Sequence, residues 1–256
     1  PITTLAPALD RFAPSPTLAM TQRVGELRRA GVDVIGLSAG EPDFPTEPHV
    51  IDAAFRAMQA GETRYTDVDG TPALKQAVVD KFRRDNGLTY GPSEISVGAG
   101  GKQVLFNALV ATLHPKDEVL IPAPYWVSYP DIVRYADGVP VILPTNSGQG
   151  YRITPEQLAA AITPKTRWLI LNNPGNPSGA GYSADDLRAL GEVLLAHPQV
   201  MLLSDDMYEH IWFRSAPYAT MAEVVPALKD RVLTLNGVSK AHAMTARCVG
   251  RPPWAG

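Results

Sequence analysis

Val200-Met201-Leu202-Leu203-Ser204-Asp205-Asp206-Met207-Tyr208 is a run of four apolar residues that closes on two acids and a tyrosine. A short unbroken apolar run bounded by polar residues predicts a strand buried on both faces, as in the interior of a parallel sheet. Working outward from it, similar runs recur at Ile95–Val97, Glu118–Ile121, Pro140–Leu143, Trp168–Leu171 and Val232–Leu235. Longer amphipathic stretches separate them and predict helices at Pro72–Arg84, Gly101–Leu113, Ser128–Tyr135, Pro155–Ile162 and Ala184–Ala196. The alternation predicts an α/β fold, a mostly parallel sheet with helices on both faces. Ligands of such sheets collect beyond the carboxyl ends of the strands, so the residues that follow each strand are the candidates for chemistry.

Residues 1–40 read differently, as an N-terminal arm: Ala13–Pro16 is broken by prolines, Thr17–Ala30 predicts a helix and Val34–Ser38 a short strand. The main domain is expected over residues 41–250, and residues 251–256 form an atypical, proline-rich tail. The chain of 256 residues is 45% hydrophobic and 19% charged, ordinary for a soluble globular protein. Its formal charge of -3 argues against a nucleic-acid binder, which needs clustered Lys and Arg, but leaves room for a small phosphate-bearing ligand. The single cysteine, Cys248, has no internal disulfide partner, and Pro1–Asp10 lacks the order of a signal peptide, so a cytoplasmic setting is expected. No apolar run is long enough to span a bilayer, and no membrane association is expected.

Gly98-Ala99-Gly100-Gly101-Lys102-Gln103 stands between a predicted strand and a predicted helix. Glycines there let successive backbone N–H groups converge on an anion at a helix N-terminus, although a plain connecting turn accounts for the pattern equally well. The spacing is neither a Walker A loop nor a dinucleotide fingerprint. Pro124-Tyr125-Trp126 places aromatics after the next strand, where Trp126 either lies against a planar ligand or fills the core. In Asn172-Asn173-Pro174-Gly175-Asn176-Pro177-Ser178-Gly179, two X-Pro steps predict an extended, rigid loop presenting Asn176, or simply a turn. Asp205 with Tyr208 ends one strand, and Ser239-Lys240 follows its neighbour. An acid and a lysine so placed suit a pyridoxal phosphate (PLP) enzyme: the amine condenses with the aldehyde while the carboxylate keeps the pyridine nitrogen protonated. A surface ion pair and a solvated lysine are the ordinary alternative.

Taken in order, Gly40-Glu41-Pro42-Asp43-Phe44, Tyr65 with Gly70, Gly100-Gly101-Lys102, Pro124 to Tyr129, Asn176-Pro177-Ser178-Gly179, Ser204-Asp205 with Tyr208, and Ser239-Lys240-Ala241 resemble the class I, fold type I PLP aminotransferases. The resemblance, which runs from about Ala13 to Thr245, is closest to aspartate aminotransferases. It implies an enzyme that moves an amino group between an amino acid, aspartate-like by preference, and a 2-oxo acid through a Lys240 aldimine. Asp205 would pair with the pyridine nitrogen, Asn176 and Tyr208 would hydrogen-bond the ring oxygen, and Trp126 would stack on the ring. Gly100, Gly101 and Lys102, with Ser239 close by, take the phosphate positions, and Tyr65 corresponds to a tyrosine reaching the phosphate of the neighbouring subunit in a homodimer. Gly40 matches a backbone contact near the substrate carboxylate. Ser15, Thr17 and Lys102 match positions that face a side-chain carboxylate, though Ser15 and Thr17 also suit the cap of the helix that follows. No metal ligands are assigned.

The pattern departs from the family after Lys240. Where the family places its phosphate-binding arginine this sequence has Cys248, with Arg247 one position early, so a direct phosphate contact by Arg247 is doubtful. The sequence also ends before the family's small C-terminal domain, and a chain of this length is expected to transaminate poorly. A PLP-dependent lyase or synthase of the same fold, and a PLP-binding remnant without turnover, are the competing readings.

Overall fold

The computed structural model describes residues 6–12, 14–37 and 40–245, together with the backbone of residues 248–250. After a 3-10 turn at Pro7–Arg11 come α1 (Pro16–Arg29), α2 (Pro48–Gln59) and α3 (Pro72–Asn86). Alternation then sets in with β1 (Ser96–Gly98), α4 (Gly101–Thr112), β2 (Glu118–Pro122), α5 (Ser128–Tyr135), β3 (Val139–Leu143), α6 (Pro155–Ala161) and β4 (Thr166–Asn172). It closes with α7 (Ala184–Leu195), β5 (Met201–Asp205), α8 (Met221–Val224), β6 (Val232–Gly237) and β7 (Cys248–Gly250). The helix starts are written in the sequence. Proline occupies the first turn of α1, α2, α3 and α6, where its missing N–H is not needed. Thr71, Thr154 and Ser183 cap α3, α6 and α7 by accepting from the N–H groups of Leu74, Gln157 and Asp186.

Among the described residues the sheet has seven strands in the order β1-β7-β6-β5-β4-β2-β3. The run from β3 to β6 is parallel throughout, and β7 lies antiparallel between β6 and β1. The carboxyl ends of β1, β2, β4, β5 and β6 therefore share one rim. Alternate strand residues feed two separate cores. Trp168 and Ile170 of β4, Leu203 of β5 and Leu233 and Leu235 of β6 pack with Leu105, Leu109, Tyr129 and Val133 of α4 and α5. Leu169 and Leu171 of β4 and Leu202 of β5 pack instead with Phe82 of α3, Leu158 of α6, Leu187 and Leu190 of α7 and Met221 of α8. The expected architecture, with helices on both faces, is what forms.

Two expectations need correction. Val34–Ser38 is not a strand over its described residues: Ile35 and Leu37 are 85% and 91% exposed, and Ser38 lies outside the described residues. An apolar run becomes a strand only where a neighbour supplies ladder partners, and here the Val34 carbonyl accepts from the Arg28 side chain at 3.2 Å instead. Residues 48–59, left without an element, form α2, whose Ile51, Phe55 and Met58 recur at helical spacing but are all exposed. No residue of α1 or α2 is buried. The 3-10 turn is tied to the end of α5 and the residues after it, where Arg11 donates to the Tyr135 carbonyl at 2.9 Å and pairs with Asp137 at 3.0 Å. Among the described residues no helix is long and apolar enough to cross a membrane.

One cation closes the turn between α7 and β5. The Arg231 guanidinium donates to the carbonyls of Leu194, His197 and Val200 at 3.0, 3.1 and 2.7 Å, adding a charged donor to the turn that leaves α7, where Leu194 and His197 also accept from backbone N–H groups. Arg231→Met keeps most of the apolar stem and removes these bonds. Hydrogen bonds from a charged donor contribute about 1.5–3 kcal/mol each, so a loss of roughly 2 kcal/mol is expected. Urea unfolding should show a lower midpoint with an unchanged slope.

Candidate active site

Strand parity decides which of two adjacent acids meets the rim chemistry. Asp205 shares its face with Leu203, on the side of α4 and α5, whereas Asp206 turns to the opposite side. Asp205 is buried, and its Oδ2 accepts from the Tyr129 hydroxyl at 2.5 Å while Oδ1 accepts from the Met207 N–H at 3.3 Å. Burial pushes its carboxyl up to about 6, against the opposing pull of the Tyr129 bond. Asp206 is buried among Ser204, Thr220 and Tyr218, and loss of hydration, with Glu209 nearby, pushes it up to about 7.

The loops after β4 and β5 are bonded into one unit. Asn172 donates from Nδ2 to the Asp205 carbonyl at 2.9 Å and accepts from the Asn176 N–H at 2.7 Å, and Asn176 Nδ2 reaches the Tyr208 hydroxyl at 3.4 Å. Of the two readings of the Asn176 loop, extended or turn, the turn is what forms: Gly179 donates to the Gly175 carbonyl and Gly175 to that of Ala180, both at 2.7 Å. A cavity of about 430 Å³ opens beside Asn176 and Tyr208, walled further by Trp212, Phe213 and Arg214.

Trp126, half-buried, stands edge-on to Tyr129 at 5.4 Å, and the Lys102 ammonium lies 4.9 Å from its ring centre. Gly100 precedes α4 with φ 110°, a conformation that side chains rarely adopt, and Gly101 and Lys102 open the helix. Ser239 is buried after β6, and the Lys240 amine donates to the Gly40 carbonyl at 2.8 Å. The Thr46 hydroxyl makes a second tie to that loop, at the Ala243 carbonyl, 2.7 Å away.

Three expected residues stand apart. Tyr65 is fully exposed. Ser15 occupies the N-cap of α1 but makes no side-chain cap bond, so capping is not its role, and among the described residues neither Ser15 nor Thr17 bonds to the rim cluster through its side chain. Arg247 and the Cys248 side chain lie outside the described residues. Tyr129 and Asn172, conversely, are central to the cluster although the sequence reading gave them no role. Their position beside a strand end was legible, but their partners come from another strand. As for metals, ligand atoms of Asp85, Glu209 and His210 lie within 4.8 Å of one another. The Lys81 ammonium already pairs with Glu209 and lies 4.0 Å from Asp85, so the chain supplies the positive charge itself.

A sequence model of aminotransferase class I and II matches residues 32–250. The aspartate/prephenate aminotransferase of Cereibacter sphaeroides is 56% identical over 246 residues, 96% of this chain and 62% of that protein. The aspartate aminotransferase of Rhizobium meliloti is 53% identical, over 96% of this chain and 60% of that protein. A crystal structure of the R. meliloti enzyme superposes with TM-score 0.94 at 52% identity, covering 98% of this chain and 63% of the other. The Thermus thermophilus aspartate aminotransferase with maleate gives 0.93 at 42%, covering 99% and 66%. The fold and its rim thus define the scaffold of one enzyme family, and the chain belongs to the class I and II aminotransferase family. It spans about three fifths of the curated relatives' length.

The family's cofactor is PLP, and the residues present fit it. Asp205 is a buried carboxylate with no cationic partner among the described residues, the charge that a protonated pyridine nitrogen carries. The first N–H groups of α4 suit its phosphate.

The raised acids have a consequence for stability. Between the ordinary value of 3.8 and about 7, Asp206 keeps in the fold a proton that the unfolded chain releases, so its contribution declines as pH rises through that window. Asp69, Asp85 and Asp186 have lowered values and act below it. Asp206→Asn should therefore gain on the wild type as pH is raised from 4 to about 8, read by thermal unfolding of the cofactor-free chain. A pH-independent difference would contradict the assignment.

Proposed function

We propose that this chain carries the PLP-binding part of an aminotransferase acting on a dicarboxylic amino acid, aspartate above all, and a 2-oxo acid. The observation that carries the reading is the buried Asp205, without a cationic partner among the described residues and set among Tyr129, Asn172 and the Asn176–Tyr208 pair. The names of the relatives support amino-group transfer over elimination or cyclisation on the same fold, and add prephenate to the candidate acceptors. Maleate, named with the T. thermophilus enzyme, is a four-carbon dicarboxylate and supports the substrate class.

Bound at the rim, PLP supplies a carbonyl that condenses with amines and a ring that draws electron density from the substrate Cα. Asp205 holds the proton at the pyridine nitrogen, Asn176 and Tyr208 donate toward the ring oxygen, and Trp126 offers a flat face. Gly100, Gly101, Lys102 and Ser239 hold the phosphate. Lys240 would hold the cofactor through its amine and, once a substrate amine has displaced it there, the freed Lys240 amine would move the substrate Cα proton. The bond between Lys240 and the Gly40 carbonyl keeps that amine next to the segment proposed to receive the substrate carboxylate. Ser15, Thr17 and Lys102 are the candidates for the side-chain carboxylate. The exposed Tyr65 and the exposed apolar face of α2 support a homodimer in which Tyr65 reaches the neighbouring site. The single cysteine fits a cytoplasmic setting.

Borohydride reduction of the PLP-loaded protein followed by peptide mapping should place the cofactor on Lys240. A label on Lys102, or none, would defeat the reading. Asp205→Ala should lower the rate of half-transamination with aspartate about a hundredfold or more, since it removes the stabiliser of the ring charge. Asp206→Ala, facing the other core, should register chiefly as lost stability.

A further inference from the structure

We propose that Tyr129 is the positioning residue of the rim acid: its hydroxyl anchors the Asp205 carboxylate as an acceptor for the cofactor ring nitrogen. The proposal deepens the function given above and rests on it. Tyr129 lies in the first turn of α5 and is 2% exposed. Its hydroxyl donates to Asp205 Oδ2 at 2.5 Å, and among the described residues the other hydrogen bond to the acid's side chain comes from the Met207 N–H, at 3.3 Å on Oδ1. A carboxylate offers about four acceptor sites, so two such bonds fix its orientation and leave capacity for a ring nitrogen.

The proton sits on the tyrosine. Burial, and then the Asp205 charge, hold the phenol well above its ordinary value of 10, while the bond itself favours the ionised carboxylate. The hydroxyl is therefore a donor throughout the neutral range. Tyr129 also donates its N–H to the Trp126 carbonyl at 3.0 Å, and the two rings meet edge-on. The start of one helix thus sets both the residue proposed to flank the cofactor ring and the residue that aims the acid at it. A tyrosine that merely filled the core would need no hydroxyl there.

The test removes the hydroxyl and keeps the ring, with Tyr129→Phe. In the cofactor-free protein, carbon-13 NMR of labelled aspartate should show Asp205 titrating about one pH unit or more higher than in the wild type. In the PLP-loaded protein, half-transamination should slow roughly tenfold or more with little change in KM, and the pH titration of cofactor absorbance should move. In an Asp205→Asn background the same substitution should cost almost nothing further. An unmoved Asp205 titration, or a full-sized effect in that background, would overturn the proposal. If Tyr129→Phe does not fold, Asp205→Asn reads the same bond from the other side, and the labelled Tyr129 ring must then titrate earlier. Wild-type protein that took no PLP on Lys240 would sink the proposed function, whereas the carboxyl titration would still decide whether Tyr129 anchors the acid.

Discussion

A carboxylate buried at the end of a parallel strand loses its hydration, and the surrounding fold must replace it or leave the group neutral. Asp205 is in that position, and the replacement is partial: one phenol, one backbone N–H, and no cation among the described residues. The arrangement around it follows from that deficit. Tyr129 comes from α5 across the sheet face, and Asn172 ties the Asp205 carbonyl to the Asn176 loop. The protonated ring nitrogen of the proposed cofactor would supply the positive charge that the described residues do not.

Behind the rim, a second polar layer holds the loop after β5 in place. Glu209, one residue beyond Tyr208, is buried, pairs with Lys81 and accepts from Asn86 at 2.9 Å, both on α3. Breaking a buried pair leaves a charge uncompensated, so α3 and this loop are strongly constrained to move together. The N-terminal side of the site is built differently. Gly40 and Thr46 touch the Lys240 loop through single hydrogen bonds, while α1 and α2 bury no residues. Their exposure matches the proposed homodimer, in which a second copy of the chain would cover the apolar face of α2.

Membership of the aminotransferase family and the local chemistry agree through one feature, the shared direction of the strands. Because β1, β2, β4, β5 and β6 all end on the same rim, residues as distant in sequence as Gly100, Trp126, Asn176, Asp205 and Lys240 follow neighbouring strand ends. Parallel pairing with helical crossovers achieves this without any of these residues contacting one another beforehand.

Sequence alone determined the strands from β1 to β6 to within a few residues, because apolar runs of that length have few other fates, and α5 in full, because its amphipathic spacing is clear. It also determined the candidates at each strand end, including Asp205 and Lys240. It did not determine the fate of Val34–Ser38, whose apolar character is indistinguishable from that of a strand until a partner is present or absent. Nor did it assign Tyr129, since a tyrosine in an aromatic stretch reads as core until the acid 76 residues away is placed against it. Local pattern carries the period and the burial of a segment. Which carboxylate lacks a cation, and which hydroxyl faces it, are properties of residues brought together by the sheet, and only the tertiary structure decides them.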